Sequence, residues 1–333
     1  MPPKSTSVPQ YFQTMSPAPQ PPQPSNPPPS LAAAEAPPAT DQQSSTSKHP
    51  HFPTPKLRLE LRDLLHDSTD VFLEGFKGSK DLPRLVATVL RLLYTVDDSH
   101  ENHNASQQQP TSTTRPAPTE PKIPGTRSIT LIVRDMDGVA YTTGNDLDDD
   151  HKEIHLSLSY ITHVARGAKD SIRHELLGVI AHELVHCFQW AARGTCPGGL
   201  IEGMADWVRL NAGYVPPHWK KDANGDWDRG YQNTGYFLDW IEKTKGSGSM
   251  YRLNQALCDD EYDESKFWTR LFGANVDVLY HQYKKALKHE EEARPARGDN
   301  SARFGDPDKK MEIRVKHSSD DSSGNGTGAQ DQS

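Results

Sequence analysis

The chain has 333 residues, 37 Lys and Arg against 45 Asp and Glu, a formal charge of -8 and a hydrophobic fraction of 34%, with a mean hydropathy of -0.78. Fourteen of the 27 prolines fall within the first fifty positions and the last forty residues hold almost no aliphatics, which describes one core of roughly 200 residues or more diluted by polar tails. An acidic chain without a Lys/Arg cluster has no surface for tracking phosphates, which excludes nucleic acid; the longest aliphatic run, residues 85–96, is broken by Arg91 and too short for a bilayer, which excludes a membrane protein.

Residues 1–55 are rich in Pro, Ser, Gln and Thr with neither strand nor helix period, and are expected to form a disordered tail. PxxP spacings at Pro19, Pro22, Pro24 and Pro27 could offer polyproline II to an SH3-like partner, although any proline-rich stretch generates such spacings by chance. No apolar stretch follows the first lysine, and the small-residue patch at 31–36 contains Glu35, so no secretory signal is read. The expected compartment is the cytoplasm, with secretion left open.

Order should start at Leu57, where Leu57, Leu59 and Leu61 alternate with charged residues in the period of a half-buried strand. Helices follow over 68–76 and 82–94, the second with Leu82, Leu85, Val86, Val89, Leu92 and Leu93 on one stripe. Residues 97–122 are polar and read as a disordered insertion. A buried strand returns at 129–133 and ends in a turn at 135–138. Asp146 with Asp148 to Asp150 forms an acidic tip that lacks the glycine and closing glutamate of a calcium loop, so it reads as a solvated turn. The next strand is expected over 154–160, with Ile154, Leu156, Leu158 and Tyr160 on one face.

A helix is predicted from an N-cap at Asp170 to about Ala192, and a Gly/Pro loop at 194–199 stops it. A second helix over 200–212 should be closed by Gly213, since glycine best tolerates the left-handed conformation there. Further helices are expected over 231–243, 250–257, 266–272 and 276–289, and a charged Gly/Ser-rich tail over 291–333. The three cysteines, Cys187, Cys196 and Cys258, have neither disulfide nor zinc-knuckle spacing.

Inside the 170–192 helix stands His182-Glu183-Leu184-Val185-His186. Histidines at i and i+4 project from one side of a helix, so their ring nitrogens can meet at a single zinc ion. Glu183 is rotated toward the open coordination position, where it can take a proton from water without being a ligand. A catalytic zinc usually has three protein ligands, and Glu202, in the first turn of the following helix, is the strongest candidate for the third. Asp206, one turn on, can accept a hydrogen bond from the far N–H of a ligand histidine. His174 has no second histidine at the required spacing and reads as solvent-facing, whereas Cys187 points about 100° away from the metal side and reads as core.

The segments 129–141, 154–160, 178–190 (GVIAHELVHCFQW), 197–214 (PGGLIEGMADWVRLNAGY) and 227–240 together resemble the plant basic secretory protein family, over roughly residues 57–289. The resemblance implies a zinc peptidase of the gluzincin-like group, with His182, His186 and Glu202 binding zinc and Glu183 as general base. Its plant members are typically secreted and basic; this chain, with a pI near 6.0, departs from that, and secretion is not carried over.

The expected fold is α+β and zincin-like over residues 56–290. A small twisted sheet packs on the H-E-x-x-H helix, and a mainly helical C-terminal half closes the other side of a cleft. Strand 154–160 would be the cleft-side edge, open to an extended peptide. The leading function is a zinc-dependent peptidase acting on peptides or proteins. A second donor for the oxyanion is sought among Tyr231, Tyr236 and His218, with Tyr231 preferred. The alternatives are a non-catalytic zinc-stabilised binding protein, and an interaction protein working through its proline-rich tail.

Overall fold

The computed structural model describes residues 52–96, 120–166 and 172–293. The PxxP spacings, Asp170, most of the expected insertion and nearly all of both tails lie outside these residues. Where the insertion was expected to end, Lys122 is already anchored: Trp190 Nε1 and Gln255 Nε2 donate to its carbonyl at 3.0 and 2.8 Å.

Within the described residues the elements run β1 (Lys56–Leu61), α1 (Ser68–Gly75), α2 (Gly78–Tyr94), β2 (Ser128–Arg134), β3 (Ala140–Asn145), β4 (Asp148–Ser157), α3 (Leu158–Ala165) and α4 (Ile172–His186). They continue as α5 (Gly198–Asn211), α6 (Tyr231–Lys245), α7 (Ser249–Ala256), α8 (Glu264–Phe272) and α9 (Val276–Glu292). The strands form one mixed sheet in the order β1-β2-β4-β3, parallel except for the antiparallel β3–β4 pair. The architecture is therefore α+β, with a helical C-terminal half.

Ile129, Leu131 and Val133 of β2 and Ile154 and Leu156 of β4 point from one sheet face into a core shared with α2 and α4. Helix α4 is buried almost all round from Leu176 to Val185, as a helix apolar on every side must be. Each aliphatic side chain fully buried there contributes about 1.5–3 kcal/mol. α4 is thus the molecule's central rod, and it carries the H-E-x-x-H residues.

Several expectations are corrected. The strand expected at 154–160 ends at Ser157, and Leu158 opens α3. Ser157 caps that helix, its Oγ accepting the N–H of Tyr160 at 3.1 Å, and Leu158 and Ile161 are the buried pair at helical spacing. β4 also lies inside the sheet, so it offers no free edge beside the site. That edge is β3, a strand of Ala-Tyr-Thr-Thr-Gly-Asn with no aliphatic signal.

Asp148 to Asp150 lie in β4, and the turn is confined to Asp146 and Leu147. The acidic strand is tolerated because Arg127 pairs with Asp148 and Asp150, and Lys152 with Asp149. Helix α4 ends at His186, and the carbonyls of the next two residues accept from side chains instead of from a continuing helix. Thr126 Oγ1 donates to Cys187 O at 2.6 Å, and Tyr94 Oη to Phe188 O at 2.5 Å. α5 starts at Gly198, which places Glu202 in the second turn, and Gly213, at φ +82°, follows the helix as expected.

Candidate metal centre

His182 and His186 sit one turn apart on α4, and their rings lie 5.0 Å apart at 78°. Helix α5 packs across α4 and brings Glu202 between them, with Oε2 at 3.0 Å from His182 Nε2 and 3.7 Å from His186 Nε2. One ligand atom from each of the three residues falls within 4.8 Å of the others. His182 Nδ1 is held from behind by Asp206 Oδ1 at 2.7 Å. On His186 the corresponding atom, Nδ1, meets the Gln189 carboxamide at 2.7 Å.

The close approach of α5 depends on residues without side chains. Gly199 lies so near the chain at Asp228 that a Cβ would fall 1.7 Å from that residue's carbonyl oxygen. Gly230, at φ +80°, lets the same segment pass over Gly199 and Glu202. Tyr231 follows at φ +48°, a conformation that costs a non-glycine residue about 1–3 kcal/mol and tends to mark functional positions. Its ring lies nearly parallel to that of His182, at 6.2 Å and 14°.

Burial disfavours a charge on His182, but Asp206 and Glu202 outweigh it and raise its pKa to about 10. Without metal, the ring is an imidazolium that donates to Asp206 and to Glu202. Burial raises Glu183 to about 6, partly opposed by the His182 charge and by a hydrogen bond from Thr142. The Thr142 hydroxyl lies 2.7 Å from Glu183 Oε2 and 3.0 Å from its backbone carbonyl.

The donor set suits zinc: two imidazoles and a carboxylate converge, and each ring has a polar group behind it to set its orientation. The structure thus brings together His182, His186, Glu202, Glu183, Asp206 and Tyr231. It leaves His174 apart from them and half-buried rather than solvent-facing, its Nε2 at 3.0 Å from Val215 O and its ring edge-on to Tyr214. Cys187 is in the core. Sequence reasoning missed Thr142, because nothing short of the β3–α4 packing signals it, and Gln189, which sits three residues beyond His186 on the same side.

A family model described as peptidase of plants and bacteria matches residues 54–283. The chain belongs to this family. It is the basic secretory protein family that the motifs resemble, and the matched span of this plant and bacterial peptidase family runs from just before β1 into α9. No curated protein and no solved structure matches the chain.

Proposed function

We propose that this peptidase is zinc-dependent and zincin-like, with His182, His186 and Glu202 as ligands and Glu183 as general base. The observation that carries the reading is the convergence of three ligand atoms within 4.8 Å beside a buried carboxylate. Zinc bound there would act as a Lewis acid on the scissile carbonyl and make water a nucleophile at neutral pH. Glu183 accepts the water's proton at its carboxylate and later passes it to the leaving amine. In the metal-free site burial already raises its pKa to about 6, nearer neutrality than an exposed glutamate. The Thr142 hydroxyl fixes the direction of that carboxylate.

Tyr231 is the proposed donor to the developing oxyanion. Burial, with the charges of Glu202, Asp206 and Glu183, pushes its pKa up, so the phenol keeps its proton at neutral pH. An extended peptide would add to the free side of β3, the sheet edge that also carries Thr142, and so be laid beside Glu183.

Glu183→Gln tests this directly, because the amide keeps the carboxylate's shape but cannot accept the proton. Zinc should stay bound and kcat should fall by at least about 10²-fold. Turnover near wild type on a peptide the parent cleaves would refute the mechanism. If the parent binds zinc and cleaves nothing, the non-catalytic binding reading replaces it.

A further inference from the structure

The two histidines of the site are held from behind in chemically different ways. His182 Nδ1 faces a carboxylate, which can only accept, whereas His186 Nδ1 faces a carboxamide, which can donate or accept. Gln189 reaches His186 because the chain makes one more helical turn past the end of α4: its backbone N–H donates to Val185 O at 2.8 Å. Gln189 Nε2 lies 2.7 Å from His186 Nδ1, while the other end of the amide, Oε1, is buried with no hydrogen-bond partner among the described residues.

That unpartnered end decides the behaviour of the side chain. A carboxamide bonded at both ends is held in one orientation, but this one meets only His186 among the described residues. A half-turn of the amide exchanges Oε1 for Nε2 and moves little else. Its orientation therefore follows the tautomer of His186. With Nδ1 unprotonated, Nε2–H of Gln189 donates to it; with Nδ1 protonated, Oε1 accepts from it. Metal ligation through His186 Nε2, the atom that faces Glu202, requires the second arrangement.

We propose that Gln189 is the positioning residue for His186: in the metal-loaded site its carboxamide oxygen accepts the Nδ1–H and holds the ring with Nε2 toward the metal. This rests on the zinc reading above and extends it to a residue outside the H-E-x-x-H motif. Asp206 and Gln189 thus give each of the two rings its own partner behind Nδ1.

The test uses the full chain and zinc alone. Zinc affinity is measured by chelator competition for wild type, Gln189→Met and Gln189→Glu, with a thermal melt of each zinc-free protein. Methionine keeps the length of glutamine and cannot serve as a comparable acceptor, so Gln189→Met should bind zinc about 10–100-fold more weakly with its zinc-free melting unchanged. Glutamate is an acceptor, so Gln189→Glu should stay close to wild type. In the zinc-loaded proteins, a slowly exchanging His186 Nδ1–H proton should be visible by NMR in wild type and Gln189→Glu and lost in Gln189→Met. Wild-type affinity in Gln189→Met, or equal weakening in both variants with lowered melting, overturns the positioning role while leaving the zinc reading intact. Absence of zinc binding by wild type overturns both.

Discussion

The Asp206 carboxylate lies 2.7 Å from Nδ1 of His182, and its own side chain is only 4% exposed. A buried carboxylate in that position fixes which nitrogen of the ring is free to ligate and raises its basicity. Asp206→Asn is nearly isosteric and uncharged, so it should weaken zinc binding by about 10–100-fold without abolishing it. Loss as complete as in Glu202→Ala, by the same competition assay, would mean that the two acidic residues exchange roles. At this scale much of the site was legible. The i, i+4 histidines, the glutamate between them, and Glu202 and Asp206 one turn apart on the next helix are all patterns of spacing. Thr142 and Gln189 were not, because a threonine on a weak strand and a glutamine after a helix end acquire meaning only through the atoms they meet.

Among the elements, the contact between α5 and the segment 228–231 does most to set the position of Glu202. Gly199 leaves no room for a methyl group, since the clash at 1.7 Å is with backbone rather than with a movable side chain. Gly199→Ala must therefore push α5 and the 228–231 segment apart, moving Glu202 and Tyr231 together. The expected outcome is a lower melting temperature, on the order of 1–3 kcal/mol of stability lost, together with weaker zinc binding. An unchanged melt and affinity would show that the contact is not what holds Glu202. The elements also show where period-2 reading fails. Residues 154–160 alternate like a strand, yet Ser157 is a cap, and Leu158 and Ile161 are buried at helical spacing. Helix and strand periods coincide over so few residues, and the cap is the only local signal that separates them. The edge beside the site, β3, was invisible because its Ala-Tyr-Thr-Thr-Gly-Asn sequence carries no alternating aliphatics, unlike the other edge strand, β1.

For the whole molecule, the family match over residues 54–283 spans both the sheet and the helical half, so the α4–α5 crossing that builds the site belongs to the matched core. That core is also tied together by charge. Asp81 on α2 receives two hydrogen bonds from Arg173 on α4, at 2.8 and 2.7 Å. These hydrogen bonds, against the opposing effect of burial, hold its pKa at about 2 instead of 3.8. A depressed folded-state pKa stabilises above the unfolded value, so this contribution is complete above pH 3.8 and lost as pH falls through about 2. With Arg173 half exposed and solvent-screened, the pair is worth about 1–2 kcal/mol. Asp81→Asn should lower stability at neutral pH and converge with wild type along that acid limb; parallel curves would contradict the assignment.

The central claim, that this member of the peptidase family holds a catalytic zinc on α4 and α5, is tested most directly by the metal content of the purified full chain after zinc loading and removal of excess. Wild type should carry one zinc per chain, and the double variant His182→Ala, His186→Ala should carry none while remaining folded by circular dichroism. A folded double variant that still holds stoichiometric zinc would contradict the claim and place the metal elsewhere on the chain.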